Sequence, residues 1–131
     1  MPVSLELIEN GRVFRYVISD PWRIVDFTAT LPQAKAVLDA AQHPVHGVVN
    51  LYAAAKDPIG VLNIRKHPSF SHVNGGYTAF CHASLLARRV TETALRIARF
   101  HRYKFFNTEQ EGMDFVRELM AQEDAARQNS K

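Results

Sequence analysis

The sequence predicts a single α/β domain built on a mixed β-sheet, with elements in the order β-β-α-β-α-β-α-β-α. Three observations carry this. Val3–Ile8 and Val13–Ile18 are strand-like runs joined at Asn10-Gly11, a pair whose tolerance of positive φ marks a hairpin and hence an antiparallel start. Apolar, β-branched runs then alternate with helical patterns, as in sheets connected by right-handed crossovers. Finally, between Gly47 and Gly60 a buried-strand pattern passes directly into a helix start.

The elements follow in order. In the second strand Val13, Arg15 and Val17 alternate with Phe14, Tyr16 and Ile18, the period of a pleated strand. Asp20-Pro21-Trp22 breaks it, and Arg23–Thr28 suits either an extra strand or a helical lead-in. Trp22 is expected to plug the core, because large aromatics bury where they can. A helix is predicted over Leu31–Gln42, with Thr30 and Gln33 as a capping box and Ala34, Val37, Leu38 and Ala41 as its apolar stripe. His43-Pro44 ends it, and Val48–Tyr52 forms a strand covered on both faces.

Asp57 reads as the N-cap of the next helix and Pro58 as its first residue, where a missing N–H costs nothing. That helix runs to about Lys66, and its first turns, with Ile59, Val61, Leu62 and Ile64, are apolar nearly all round. Asn74-Gly75-Gly76 turns the chain into a strand at Tyr77–His82, and Ser84 caps a long helix from Leu85 to about His101. Leu86, Val90, Ala94, Ile97 and Ala98 are its predicted buried stripe. A short strand, Tyr103–Phe106, precedes a capping box at Thr108–Glu111 and a closing helix. The domain is placed at residues 1–121, and the polar residues 122–131 are expected to fray as a tail.

Composition narrows the function. With 131 residues, 47% of them hydrophobic, the chain can bury a real core. A net charge of +3 falls short of a dedicated nucleic-acid binder, so neither DNA nor RNA is expected as a partner. Cys81 is the only cysteine, which rules out an intrachain disulfide. No apolar run approaches a membrane span and the first residues lack a signal-peptide pattern, so a cytoplasmic protein without membrane insertion is expected.

Candidate chemistry is sparse. Six histidines invite a metal site, but nothing in the pattern brings His43 and His46 near His67 and His72, and ordinary turn or surface histidines are expected. Cys81 and His82 are adjacent in a strand and point to opposite faces, so Cys81 reads as a small buried filler. His82 closes its strand near Ser84 and, with Asp57, lines one rim, but no nucleophile accompanies it and no enzyme is expected. Arg88, Glu92, Arg96 and Arg99 follow one helix face, either a solvated surface with Glu92 pairing Arg88 and Arg96, or a cationic surface for an acidic partner, nucleotide or lipid head group.

Three stretches together resemble the STAS superfamily, whose founding members are bacterial anti-sigma-factor antagonists of the SpoIIAA type. Val48-Val49-Asn50-Leu51 followed by Asp57-Pro58-Ile59-Gly60 resembles that family's strand and its Asp-Ser-Ser-Gly helix start. Asn74-Gly75-Gly76 before Tyr77–Cys81 is similar to its Gly-Gly turn, and Phe106–Glu111 to its last strand and capping turn. The resemblance spans about residues 3–119 and implies a regulatory or protein-interaction module that needs no cofactor or metal.

In the family, the serine before the glycine accepts phosphate and switches partner binding. Here Ile59 stands there and Pro58 stands at the neighbouring serine, so the switch is absent. The expected partner surface is the rim of Asp57, Pro58, Ile59 and Gly60 with His82, Ser84 and Arg88. Asp57 fixes the helix start, Gly60 permits close backbone approach and Ile59 offers an apolar contact. The partner is another protein, a homodimer being one form of this. A small-ligand carrier for a lipid or nucleotide, and an enzyme using His82 and Asp57, are the alternatives.

Overall fold

The computed structural model describes residues 2–54 and 67–129. Five strands form one sheet in sequential order: β1 (Val3–Ile8), β2 (Val13–Ser19), β3 (Val45–Ala53), β4 (Gly75–Cys81) and β5 (Tyr103–Phe106). β1 runs antiparallel to β2, and every later neighbour is parallel. Among the described residues four α-helices accompany them: α1 (Ile24–Thr28), α2 (Leu31–Ala40), α3 (Leu85–Ile97) and α4 (Glu109–Asn129). A 3-10 turn spans Pro68–Phe70. The helix expected over residues 57–66 lies outside the described residues, and so do Asp57, Pro58, Ile59 and Gly60.

Sequential strand order has a geometric consequence. Right-handed crossovers that always advance in one direction deliver their helices to one face of the sheet. Accordingly Ala34 and Leu38 of α2 and Leu95 of α3 share a core with Phe14, Tyr16, Ile18, Val49 and Phe80. Trp22 belongs to that core, as expected of it. The opposite face, carrying Val13, Val48, Ala79 and Cys81, packs against Met113, Val116 and Met120 of α4. Val48 and Val49 are both buried, one in each core, which accounts for the unbroken apolar run of β3.

Several local expectations are corrected. The hairpin turn sits one residue early: Glu9 and Asn10 have φ of 53° and 58°, and the Gly11 N–H donates to the Ile8 carbonyl at 3.1 Å. Glu9-Asn10 are therefore the central pair of the turn, with Gly11 (φ 84°) following. Arg23–Thr28 resolves as helical lead-in, its start held by the Arg23 N–H donating to Asp26 Oδ2 at 2.8 Å. Thr30 precedes α2 but makes no side-chain cap, because its hydroxyl is engaged in the core.

The helix predicted to His101 ends at Ile97. There the Phe100 N–H donates to the Leu95 carbonyl at 3.0 Å and the Arg99 N–H to Arg96 at 3.1 Å, with Arg99 left-handed at φ 58°. This is a Schellman ending, sealed by the buried side chains of Leu95 and Phe100. The buried stripe of α3 is Ala87, Thr91, Ala94 and Leu95, while Leu86 and Ile97, assigned to the core from sequence, are exposed. No ion pair involves Glu92 among the described residues.

The polar residues after Gln122 continue α4 to Asn129 instead of fraying. Arg12, at the end of the hairpin, donates to Asp124 Oδ1 at 3.0 Å and to Glu123 Oε1 at 3.2 Å, tying the helix to the sheet.

Candidate functional site

The carboxyl ends of β3, β4 and β5 converge on one rim, and the described residues that the sequence nominated there, His82, Ser84 and Arg88, are occupied as internal fasteners. His82, just past β4, adopts φ 63°. That left-handed step turns its ring toward α4, where Nε2 accepts from the Glu109 N–H at 3.1 Å. An imidazole nitrogen that accepts carries no proton, so in the neutral ring the proton resides on Nδ1. The lone pair a general base would use is thus engaged by the helix start. Thr108 completes this cap, its Oγ1 accepting from the Glu111 N–H at 3.2 Å as the capping-box pattern anticipated.

Ser84 caps α3, accepting from the Ala87 N–H at 3.1 Å. Arg88 donates to Asn107 Oδ1 at 3.0 Å and lies 5.6 Å from the Phe105 ring centroid, joining α3 to the β5–α4 connection. The structure therefore brings His82, Ser84 and Arg88 to one rim. The remaining nominated residues, Asp57 to Gly60, fall outside the described chain.

Beside these polar groups the rim exposes large apolar side chains. Tyr52, at the end of β3, is 79% exposed, its ring 5.4 Å from that of His82. Leu85 and Leu86, at the start of α3, are 68% and 66% exposed. The sequence pattern placed Leu86 in the core and Tyr52 in a strand covered on both faces, and it gave no role to Leu85; the end of β3 is instead uncovered. One signal was available: apolar residues occupy a wider arc of α3 than a helix lying on a sheet can bury.

The histidines differ from expectation. His46 and His67 are buried, not surface residues. His46 Nδ1 accepts from the Tyr77 N–H at 3.0 Å, so its protonated Nε2 donates to Glu123 Oε2 at 2.8 Å. Burial is the main cause holding the His46 pKa below its usual value, against the pull of Glu123. His72 Nε2 lies 2.9 Å from Asp39 Oδ1, and His43 Nδ1 is 3.1 Å from the Pro44 carbonyl oxygen. No cluster able to hold a metal ion occurs among the described residues.

His67 anchors a directed hydrogen-bond chain. Its Nδ1 accepts from the Ser69 N–H at 3.1 Å, which places the ring proton on Nε2, facing the Tyr16 hydroxyl at 2.9 Å. Tyr16 passes its own proton toward Thr30 Oγ1 at 2.9 Å, and Thr30 donates to the Phe27 carbonyl at 2.7 Å. Burial lowers the His67 pKa to about 4 and raises that of Tyr16 to about 12, so both are neutral near pH 7.

This chain forms one wall of a chamber on the α2–α3 side of the sheet. Its cavity volume is about 80 Å³, and it lies between Phe14, Ile18, Trp22, Phe27, Val49 and Phe80. No charged side chain lines it among the described residues. Cys81 lies in the other core, its thiol pushed up to about 12, chiefly by burial, so it packs as a small apolar side chain.

The protein is thus an α/β domain with a mixed five-stranded sheet, and none of its described helices is long and apolar enough to cross a membrane. No protein-family model matches the chain, and comparison with the curated proteins and with solved structures gives no match.

Proposed function

We propose that this chain is a non-catalytic regulatory module of STAS type that binds another protein through the carboxyl rim of its sheet, without the family's serine phospho-switch. One observation supports it most: Tyr52, Leu85 and Leu86 stand exposed where His82, Ser84 and Arg88 are engaged internally. Large apolar side chains grouped beside saturated polar groups suit contact with a protein and offer no chemistry. Ile59, where the family carries its phosphate acceptor, continues the apolar character in sequence.

Affinity capture from extract of the native cells tests this. A protein recovered with the wild-type chain is expected to be lost with Tyr52→Asp and with Leu85→Asp, while circular dichroism stays unchanged. Ile59→Asp in the same assay reports on the residues 57–60. Identical recovery with all three variants overturns the rim as the contact surface.

The chamber favours a second reading, a carrier of a small apolar ligand. Tyr16 and His67 are bonded to each other and no described lining residue is charged, so a neutral acyl chain or ring suits it better than a nucleotide. Native mass spectrometry of the purified protein is expected to show a retained neutral molecule if this is the function. A clean apo mass leaves the protein-binding module alone.

A further inference from the structure

We infer that the exposed face of α3 is a docking stripe for one amphipathic helix of a partner protein that carries acidic side chains beside its apolar seam. The inference rests on the protein-binding function proposed above and names the partner's chemistry. Leu86, Val90, Thr93 and Ile97 recur in alternating steps of four and three residues. That is the a/d spacing of a helix–helix seam, with Val90 and Ile97 at a and Leu86 and Thr93 at d. Leu86 and Ile97 are 66% and 51% exposed, and Val90 is half-buried. Meanwhile Ala87, Thr91, Ala94 and Leu95 face the sheet. The helix thus has two apolar stripes, and its own domain covers one.

Charge selects the occupant. Arg89 and Arg96 take the g positions beside the seam, both exposed, and neither has a side-chain hydrogen bond or ion pair among the described residues. Across a helix–helix seam, such cations call for carboxylates on the partner.

A second copy of this chain supplies none. Antiparallel seams would set arginine against arginine. Parallel seams would aim each arginine at Ala87 and Ala94, which are buried against their own sheet. The stripe begins at Leu86, beside the cap at Ser84, so it continues the rim surface along the helix.

Two synthetic helical peptides of a single heptad design, apolar at a and d, serve as probes: one with Glu at e and g, the other with Lys. In fluorescence anisotropy the Glu peptide is expected to bind and to weaken several-fold between about 0.05 and 0.5 M salt. The Lys peptide is not expected to bind. Leu86→Asp and Ile97→Asp should each weaken the Glu peptide at least about tenfold, and the Arg89→Glu, Arg96→Glu double variant should exchange the preference.

Equal binding of both peptides, or none at about 1 mM, where an interaction of about −4 kcal/mol would register, overturns the inference. So does a wild-type dimer in sedimentation that Leu86→Asp abolishes, which would make the occupant a second copy. Binding to anionic phospholipid vesicles through the same residues, with neither peptide bound, would make it a membrane and also overturns it. If the peptides fail while Tyr52→Asp still removes a captured protein, the stripe is wrong but the module stands. If that capture is also unaffected, both fall.

Discussion

Lowering the pH from about 6.5 to about 4 is expected to remove roughly 3 kcal/mol of folding stability through His67 alone. Burial holds the folded-state pKa of this ring at about 4, whereas the unfolded chain titrates near 6.5. Below 6.5 the unfolded state binds the extra proton, so stability falls with pH until the folded ring protonates too. The structure says why protonation is resisted. A second ring proton would sit on Nδ1, where the Ser69 N–H already donates, inside a cage of Phe14, Tyr16, Phe27 and Phe70.

Urea unfolding at pH 7.5 and 4.5 measures the effect. In His67→Phe most of the slope across that window should vanish, although the variant will be less stable at neutral pH because Ser69 loses its acceptor. His46, also depressed by burial, adds in the same direction. An unchanged slope in His67→Phe would assign the acid sensitivity elsewhere.

Gly75→Ala is expected to cost about 3 kcal/mol or more, placing it among the most damaging single changes available in this domain. A Cβ on Gly75 would overlap the carbonyl oxygen of Ser69, which is backbone and cannot swing aside. Relief would require moving either the 3-10 turn or the first pair of β4, Val45 with Gly75. Gly47→Ala is the control, since the atoms nearest its added carbon are those of the Thr78 side chain, at an ordinary 3.5 to 3.9 Å, and it should change stability by less than about 0.5 kcal/mol. Thermal or urea unfolding distinguishes the two, and comparable losses would contradict the assignment of Gly75 to close approach.

The sheet was legible because its signals are local. β-Branched runs, an Asn-Gly hairpin and caps at Ser84 and Thr108 each depend on neighbours within a few residues, and the structure honours all but the exact turn register. The errors lie where distance along the chain intervenes. Residues 122–129 lack an apolar stripe, so periodicity does not mark them as helical, although Ala125, Ala126 and their Gln, Glu and Arg neighbours are good helix formers. Their partners, Arg12 and His46, lie far earlier in the sequence.

Thr30 failed as a cap for a similar reason. Its hydroxyl is claimed by Phe27 and Tyr16, the latter on a strand that periodicity cannot align with it. On α3 the buried arc is rotated from the predicted one: Ala94 is buried and Ala98 packs against the core as expected, but Leu86 and Ile97 face out while Ala87, Thr91 and Leu95 face in, because spacing alone does not say which face meets the sheet. Of the candidate rim, the sequence located His82, Ser84 and Arg88 together, but not the left-handed backbone that turns His82 onto α4.

Because the strands pair in chain order, a nascent polypeptide can zip its sheet together as it leaves the ribosome, each strand joining the one made before it. α4 is the last described element to emerge, and among the described elements it is the helix that covers Val13, Val48, Ala79 and Cys81. Until it docks, that greasy plane stands bare, an invitation to chaperones and to aggregation alike. A stop codon or proteolytic cut ahead of α4 therefore yields a sticky half-sandwich, not a shorter working domain.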